Sequence, residues 1–91
     1  MVSKQNRQMA SFYRQVSMLV RKNGGKVTLQ ELEKAWGKKA DMVYSWMQWS
    51  DAKQWFMVSD ANPTTYRLKH HLEGVGQAEI NEQINNYYMR E

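Results

Sequence analysis

The stretch that decides the fold is Thr28 to Asp51, TLQELEKAWGKKADMVYSWMQWSD. Thr28 is followed three residues later by Glu31, the spacing of a capping box in which each side chain bonds the backbone amide of the other residue. Apolar residues then recur at helical spacing as far as Trp36, and Gly37 is a residue type that commonly ends a helix. The stretch therefore predicts a helix from Thr28 to Trp36, followed by a turn.

A second helix is predicted over residues 38–50. Its apolar periodicity places four residues on one face, namely Val43, Trp46, Met47 and Ser50. At about 100° per residue, the opposite side carries Asp41, Ser45 and Gln48, with Tyr44 on its flank. We expect these four polar side chains to face solvent or a partner.

The N-terminal segment predicts a helix from Lys4 to Lys22. A single stripe at helical spacing contains its apolar residues Met9, Phe12, Tyr13, Val16, Leu19 and Val20. The run Asn23-Gly24-Gly25 ends this helix, and Lys26 and Val27 form a very short extended segment that is able to add an edge to a small sheet. We expect the stripe to pack against the rest of the domain.

Two strands joined by a turn are predicted after the second helix. The run Trp55–Ser59 (WFMVS) is rich in aromatic and branched residues, and Thr65–His70 (TYRLKH) alternates apolar and polar side chains. Between them, Asp60–Thr64 contains the only proline of the chain and reads as a turn. The strands should form a hairpin whose outer face is basic, because Arg67 and Lys69 lie on it.

The C-terminal segment predicts a hinge at Gly74 and Gly76 and then a last helix from Ala78 to Arg90. A narrow apolar stripe on this helix comprises Ile80, Ile84, Tyr87 and Tyr88. A helix of this length is unstable alone, so it should pack on the first helix or pair with its equivalent in a homodimer. The chain thus divides into a domain over residues 1–72 and a hinge with a C-terminal helix over residues 73–91.

Length and composition indicate one small domain, since 91 residues support only a modest core. The chain has no cysteine, which suits a reducing compartment, and we expect it in the cytoplasm or in a nucleus. No apolar run approaches the roughly 18 residues of a membrane span, and no leader pattern is present, so no membrane partner is expected.

Charge is unevenly distributed along the chain. Residues 1–71 carry 12 Lys and Arg against 5 Asp and Glu, a net charge of +7, whereas residues 72–91 carry a net charge of −3. A basic body of this kind indicates attraction to a polyanion, and the acidic segment should stay away from it. The alternative is that the cations only solvate the surface.

The order of elements resembles the winged helix-turn-helix superfamily, whose members pack three helices against a small antiparallel sheet and project a hairpin as a wing. The resemblance covers Met9 to His70 and rests on topology and spacing. It implies an α+β, mostly α, fold with a three-helix core, a hairpin wing and an added C-terminal helix. Residues 28–36 then correspond to the supporting helix, 38–50 to the recognition helix and 55–70 to the wing.

This resemblance implies a DNA-binding protein without enzymatic activity, in a regulatory or accessory role. The candidate nucleic-acid-binding residues are Lys38, Lys39, Tyr44, Ser45, Gln48, Lys53, Arg67 and Lys69. Ser45 and Gln48 have the donors and acceptors that read base edges, and the cations would contact phosphates of a duplex. If about six such contacts form, affinity should fall steeply with salt.

Two features of the predicted recognition helix argue against duplex binding. Asp41 shares the side of Ser45 and Gln48 and would repel phosphate, and the helix has no arginine to read guanine. A winged helix that binds protein is therefore one alternative. A second alternative is a single-strand or RNA binder that stacks bases on an aromatic cluster comprising Met42, Trp46, Trp49, Trp55 and Phe56; of these, we expect Trp46 to be core.

The chemistry of an enzyme is not visible in the sequence. His70 and His71 are adjacent and would point to opposite faces of a strand, so they cannot chelate one metal ion. No cysteine or carboxylate has ligand spacing beside them, and no glycine-rich phosphate loop is present. We therefore expect no catalytic residue, no metal site and no cofactor.

Overall fold

The computed structural model describes residues 2–89 as a mostly helical α+β chain, as predicted. The helices are α1 (Lys4–Lys22), α2 (Leu29–Trp36), α3 (Ala40–Gln48), α4 (Ala52–Trp55) and α5 (Gln77–Tyr88). The strands are β1 (Lys26–Thr28), β2 (Phe56–Ser59) and β3 (Thr65–Leu68), and short 3-10 turns occupy Gly37–Lys39 and His70–Leu72. No helix within residues 2–89 is long and apolar enough to cross a membrane.

The predicted capping box opens α2. The Thr28 hydroxyl accepts from the Glu31 amide at 3.1 Å, and the Glu31 carboxylate accepts from the Thr28 amide at 2.9 Å. These two bonds satisfy backbone donors that have no partner inside the helix. Gly37 ends α2 with a φ of +59°, a backbone conformation that favours glycine. Local sequence therefore fixes both ends of α2, and α3 begins only after the 3-10 turn that follows.

The three strands form one antiparallel sheet in the order β1-β3-β2. Val27, Tyr66 and Val58 lie side by side across it, with the first two fully buried against the helices. Lys26, Arg67 and Met57 form the next row, and period-2 alternation turns that row to the outer face. The very short extended segment at Lys26 and Val27 thus adds the edge that the sequence suggested.

The C-terminal helix α5 packs along α1 within the same chain. Ile80, Ile84 and Tyr88 are buried, and the Tyr88 ring stacks on Tyr13 with 5.9 Å between ring centroids. Arg14 also donates to the side chain of Asn85 across the two helices. These contacts match the first of the two predicted arrangements, packing on α1, and they cover three of the four candidate dimerisation residues, Ile80, Ile84 and Tyr88. Only Tyr87, which is 51% exposed, remains available to a second copy.

Four predicted boundaries also need correction. Trp55 ends α4 and does not begin a strand, so β2 starts at Phe56. The helix predicted over 38–50 is divided into a 3-10 turn and the shorter α3. The second strand ends at Leu68, and His70 and His71 lie in a 3-10 turn. The last helix ends at Tyr88, before the predicted end at Arg90, which lies outside the described residues.

Candidate nucleic-acid interface

The exposed side of α3 is the polar surface that the sequence predicts. Val43 and Met47 are buried in the core, which turns the other side of the helix outward. The α3 polar face, as we call it, comprises Asp41, Tyr44, Ser45 and Gln48, and all four side chains are exposed. Ser45 and Gln48 can therefore reach a partner without any rearrangement of the fold.

A groove runs between this face and the β2-β3 hairpin. Its cavity has a volume of about 420 Å³ and is lined by Gln48, Lys53, Met57, Asp60 and Lys69, among others. The hairpin extends beyond β3 because the Lys69 amide donates to the Trp55 carbonyl at 3.0 Å, which holds Lys69 beside the edge of the sheet. This hairpin-side groove, as we call it, thus places Gln48, a candidate base-contacting residue of α3, beside two candidate phosphate-binding lysines.

The other two candidate lysines lie at the opposite end of α3. Lys38 and Lys39 are exposed in the 3-10 turn that precedes the helix. From Lys39 to Gln48 the helix rises by about 13 Å, at about 1.5 Å per residue. Cations therefore flank the α3 polar face at both ends, and the positive end of the helix dipole adds to the charge at the first of them.

Arg67 lies on the outer face of the sheet, beside the hairpin-side groove. It is exposed on the outer face of the sheet opposite Lys26, and it lines a separate cavity with Gly24, Gly25 and Glu73. Strand alternation correctly predicts that Arg67 faces outward. Its cross-strand partner Met57 lines the hairpin-side groove together with Lys69, whereas Arg67 itself does not line that groove.

The candidate cations have no acidic partners in the part of the chain that the structure describes. The one ion pair within 4.0 Å among residues 2–89 joins His70 and Glu73, at 3.3 Å. Lysines 38, 39, 53 and 69 are therefore free to contact an external anion. Asp60, at the start of the hairpin turn, lines the hairpin-side groove and partly offsets the charge of Lys53 and Lys69 there.

Two buried tyrosines, Tyr13 and Tyr66, pack beneath the candidate surface. The Tyr13 hydroxyl donates to the Trp46 carbonyl at 2.9 Å, which ties the last turn of α3 to α1. Burial raises the pKa of Tyr66, and the nearby Asp60, Tyr44 and Glu33 raise it further. The Tyr66 hydroxyl is buried without a hydrogen-bond partner, so this side chain is held by packing alone.

The tryptophans divide between core and surface. Trp55 is buried, whereas Trp46, expected in the core, is only partly buried and packs edge-on against Phe12 at 5.2 Å between centroids. Trp49 stacks on Trp46 at 5.6 Å and is 36% exposed. The aromatic cluster of the single-strand alternative is therefore not assembled as one exposed surface, since Trp55 and Phe56 are buried and their rings are not accessible for stacking on a base.

Five residues that line the groove are not among the candidate nucleic-acid-binding residues predicted from the sequence, namely Met47, Phe56, Met57, Val58 and Asp60. Met57 is the outward residue between Phe56 and the inward-facing Val58, so strand alternation was sufficient to find it. Asp60 carries no local signal, because its position in the groove depends on where the hairpin turn meets α3. Among residues 2–89, no group of three or more His, Asp or Glu side chains is arranged to hold a metal ion.

Comparisons with protein-family models, with curated proteins and with solved structures found no match to this chain.

Proposed function

We propose that this chain is a winged helix protein that binds duplex DNA through the α3 polar face, without catalysis. In this proposal α2 is the supporting helix, α3 enters the major groove and the β2-β3 hairpin lies beside it as the wing. The observation that carries the proposal is the exposed α3 polar face, flanked at each end by lysines that have no carboxylate partner within residues 2–89.

The dimensions of the surface support a major-groove mode of binding. The major groove of B-DNA is about 12 Å wide and admits one α-helix. The lysines before α3 and Gln48 are separated by about 13 Å of helix rise. Lys53 and Lys69 line the hairpin-side groove with Gln48, so the two pairs of lysines can contact different stretches of the phosphate backbone. Ser45 and Gln48 then lie between them, where base edges are read.

The charges of the surface determine how binding should depend on salt. Each lysine that neutralises a phosphate releases condensed counterions, which adds about 0.9 to the slope of log affinity against log salt. Four such lysines give a slope of roughly −3.6. Asp41 and Asp60 lower the net attraction, so we expect weak affinity at physiological salt and specificity that depends on Gln48.

The experiment is a titration of fluorescent random-sequence duplex, single-stranded DNA and RNA with the full chain across a range of salt concentrations. We expect the duplex to bind most tightly. The Lys38→Ala/Lys39→Ala variant should reduce the salt slope by about 2, because two phosphate contacts are lost.

The matched control is Lys4→Ala/Lys34→Ala, which removes the same charge from the first turn of α1 and from the exposed side of α2. If both double variants weaken binding equally, the attraction is diffuse and the α3 interface is wrong. If none of the three nucleic acids binds at low salt, nucleic-acid binding itself is wrong.

A further inference from the structure

A second groove lies on the opposite flank of α3, along α1. Two cavities of about 650 Å³ and 210 Å³ share Gln15, Trp36 and Lys39, and so form one continuous depression. It follows α1 from Gln8 to Lys22, a length of about 21 Å at the rise of an α-helix. Gln48 and Tyr44 lie on the other flank of α3, so this α1-side groove adjoins the surface proposed to bind DNA and shares Lys39 with it.

The floor of the α1-side groove is apolar and adaptable. Met18 is 52% exposed, and Leu19, Trp36 and Met42 are only partly buried. The rings of Trp36 and Trp46 lie 5.1 Å and 5.2 Å from Phe12 between centroids, so the floor is anchored to the core. Methionine fills irregular gaps, and tryptophan is enriched among residues that dominate binding energy. This surface therefore combines a rigid aromatic base with flexible apolar edges.

The rim of the α1-side groove is positively charged. Lys22 and Lys39 line it, and among residues 2–89 those that line it include no aspartate or glutamate. Gln8, Ser11 and Gln15 complete the rim with neutral polar groups. A partner that fills the apolar floor would therefore gain most if it carried negative charge at its edges.

We propose that the α1-side groove binds an amphipathic α-helix of a partner protein, with acidic residues beside its apolar stripe. The length of the groove matches about four helical turns, and helix-in-groove binding uses anchors spaced at i, i+3, i+4 and i+7. The apolar stripe of the partner contacts Met18, Leu19 and Trp36. Its carboxylates contact Lys22 at one end and Lys39 near the middle, where the two cavities join.

The acidic helix α5 of a second copy cannot supply this partner. Its apolar residues Ile80, Ile84 and Tyr88 are covered by α1 of its own chain, and its exposed side presents Glu79, Glu82 and Tyr87 without an apolar stripe. The charge of α5 would suit the groove, but its exposed surface would leave the floor unfilled. The proposed occupant is therefore a helix of a different protein and not α5 of a second copy.

The test uses a labelled synthetic peptide of about five helical turns, with leucine and phenylalanine on one face and glutamate on its flanks. Fluorescence anisotropy measures its binding to the full chain, beside a peptide with lysine in place of glutamate and a scrambled glutamate peptide. We expect the amphipathic glutamate peptide alone to bind, and Met18→Glu and Lys22→Glu each to weaken it by about tenfold or more.

Both substitutions fall on exposed positions and should leave the fold intact, which circular dichroism checks. Lys34→Glu is the matched control, because it reverses the same charge on α2 outside the groove and should change peptide affinity by less than about twofold. The proposal is overturned if the lysine or scrambled peptide binds equally well, or if Met18→Glu and Lys22→Glu bind as the wild type does.

A single-stranded oligonucleotide serves as the competing probe. If it binds the chain and loses that binding with Met18→Glu, the groove is a nucleic-acid surface and the peptide proposal is wrong. Failure of duplex binding in the preceding experiment would not affect this result, because Met18 and Lys22, the residues substituted in the peptide test, are not proposed to contact DNA.

Discussion

Replacement of Tyr88 by phenylalanine removes a hydroxyl that connects three parts of the fold. The hydroxyl accepts from the Trp55 indole at 3.3 Å and donates to the Asp51 carboxylate at 3.0 Å. It therefore joins α5 to α4 and to the residue that precedes α4. Trp55 is only 5% exposed, so the Tyr88→Phe variant leaves its indole N–H buried without a partner.

An unsatisfied buried donor costs about 1–3 kcal/mol, whereas Asp51 is partly exposed and water can replace its lost bond. We therefore expect Tyr88→Phe to lower the free energy of unfolding by about 2 kcal/mol. For a domain of this size that corresponds to a decrease in Tm of roughly 8–16 °C. Thermal and urea unfolding followed by far-ultraviolet circular dichroism measure the change.

Tyr87→Phe is the matched control, since the neighbouring side chain is half exposed and its replacement should change stability by less than about 0.5 kcal/mol. Equal stabilities of the two variants would refute the reasoning, because the hydroxyl of Tyr88 would then contribute nothing beyond that of a surface tyrosine.

Three further outcomes follow from the same contacts. Tyr66→Phe should raise the free energy of unfolding by about 1 kcal/mol, because it removes a buried hydroxyl without a partner. Tyr13→Phe should lower the free energy of unfolding by a similar amount, because it removes the hydrogen bond to the Trp46 carbonyl. Urea unfolding compares the two variants, and a loss of stability in Tyr66→Phe contradicts this account. Burial raises the pKa of Tyr13, Tyr66 and Tyr88 above the ordinary value of 10. Above about pH 10 the unfolded chain therefore releases protons that the folded chain retains, which favours unfolding. The stability that these tyrosines give the fold is complete below about pH 10 and is lost as pH rises above it. Urea unfolding at several alkaline pH values should show this decline, by up to about 1.4 kcal/mol per pH unit for each tyrosine, and stability that is constant up to pH 11 would contradict it. Asp41→Asn should tighten duplex binding about twofold by removing about 0.5 kcal/mol of repulsion, and weaker binding would mean that the carboxylate accepts from a base.

Local signals were sufficient for α1 and α2. The apolar stripe of α1 and the capping pair Thr28 and Glu31 act within a few residues, and the structure has the bounds of α1 as predicted and both capping bonds. The same holds for the exposed side of α3, because Val43 and Met47 fix its orientation. Periodicity is a local property, and the helices and exposed side that it predicts at these positions are present in the structure.

Long-range contacts decided what the sequence left open. Trp55 has strand-forming neighbours, yet it ends α4, where its indole meets Tyr88 from a segment far along the chain. The apolar stripe of α5 is equally compatible with packing on α1 and with packing on α5 of a second copy, and no residue within α5 distinguishes the two arrangements. Strand alternation correctly predicted that Arg67 faces outward, but the cavity that Arg67 lines depends on the position of the whole sheet.

The most direct measurement of the central claim is a map of backbone amide chemical-shift changes when a random-sequence duplex is added to the full chain at low salt. The account predicts the largest changes over residues 38–48, with a second set at Lys53, Asp60 and Lys69 around the hairpin-side groove. Changes confined to α1 or to the exposed side of α5, with α3 unaffected, would contradict it.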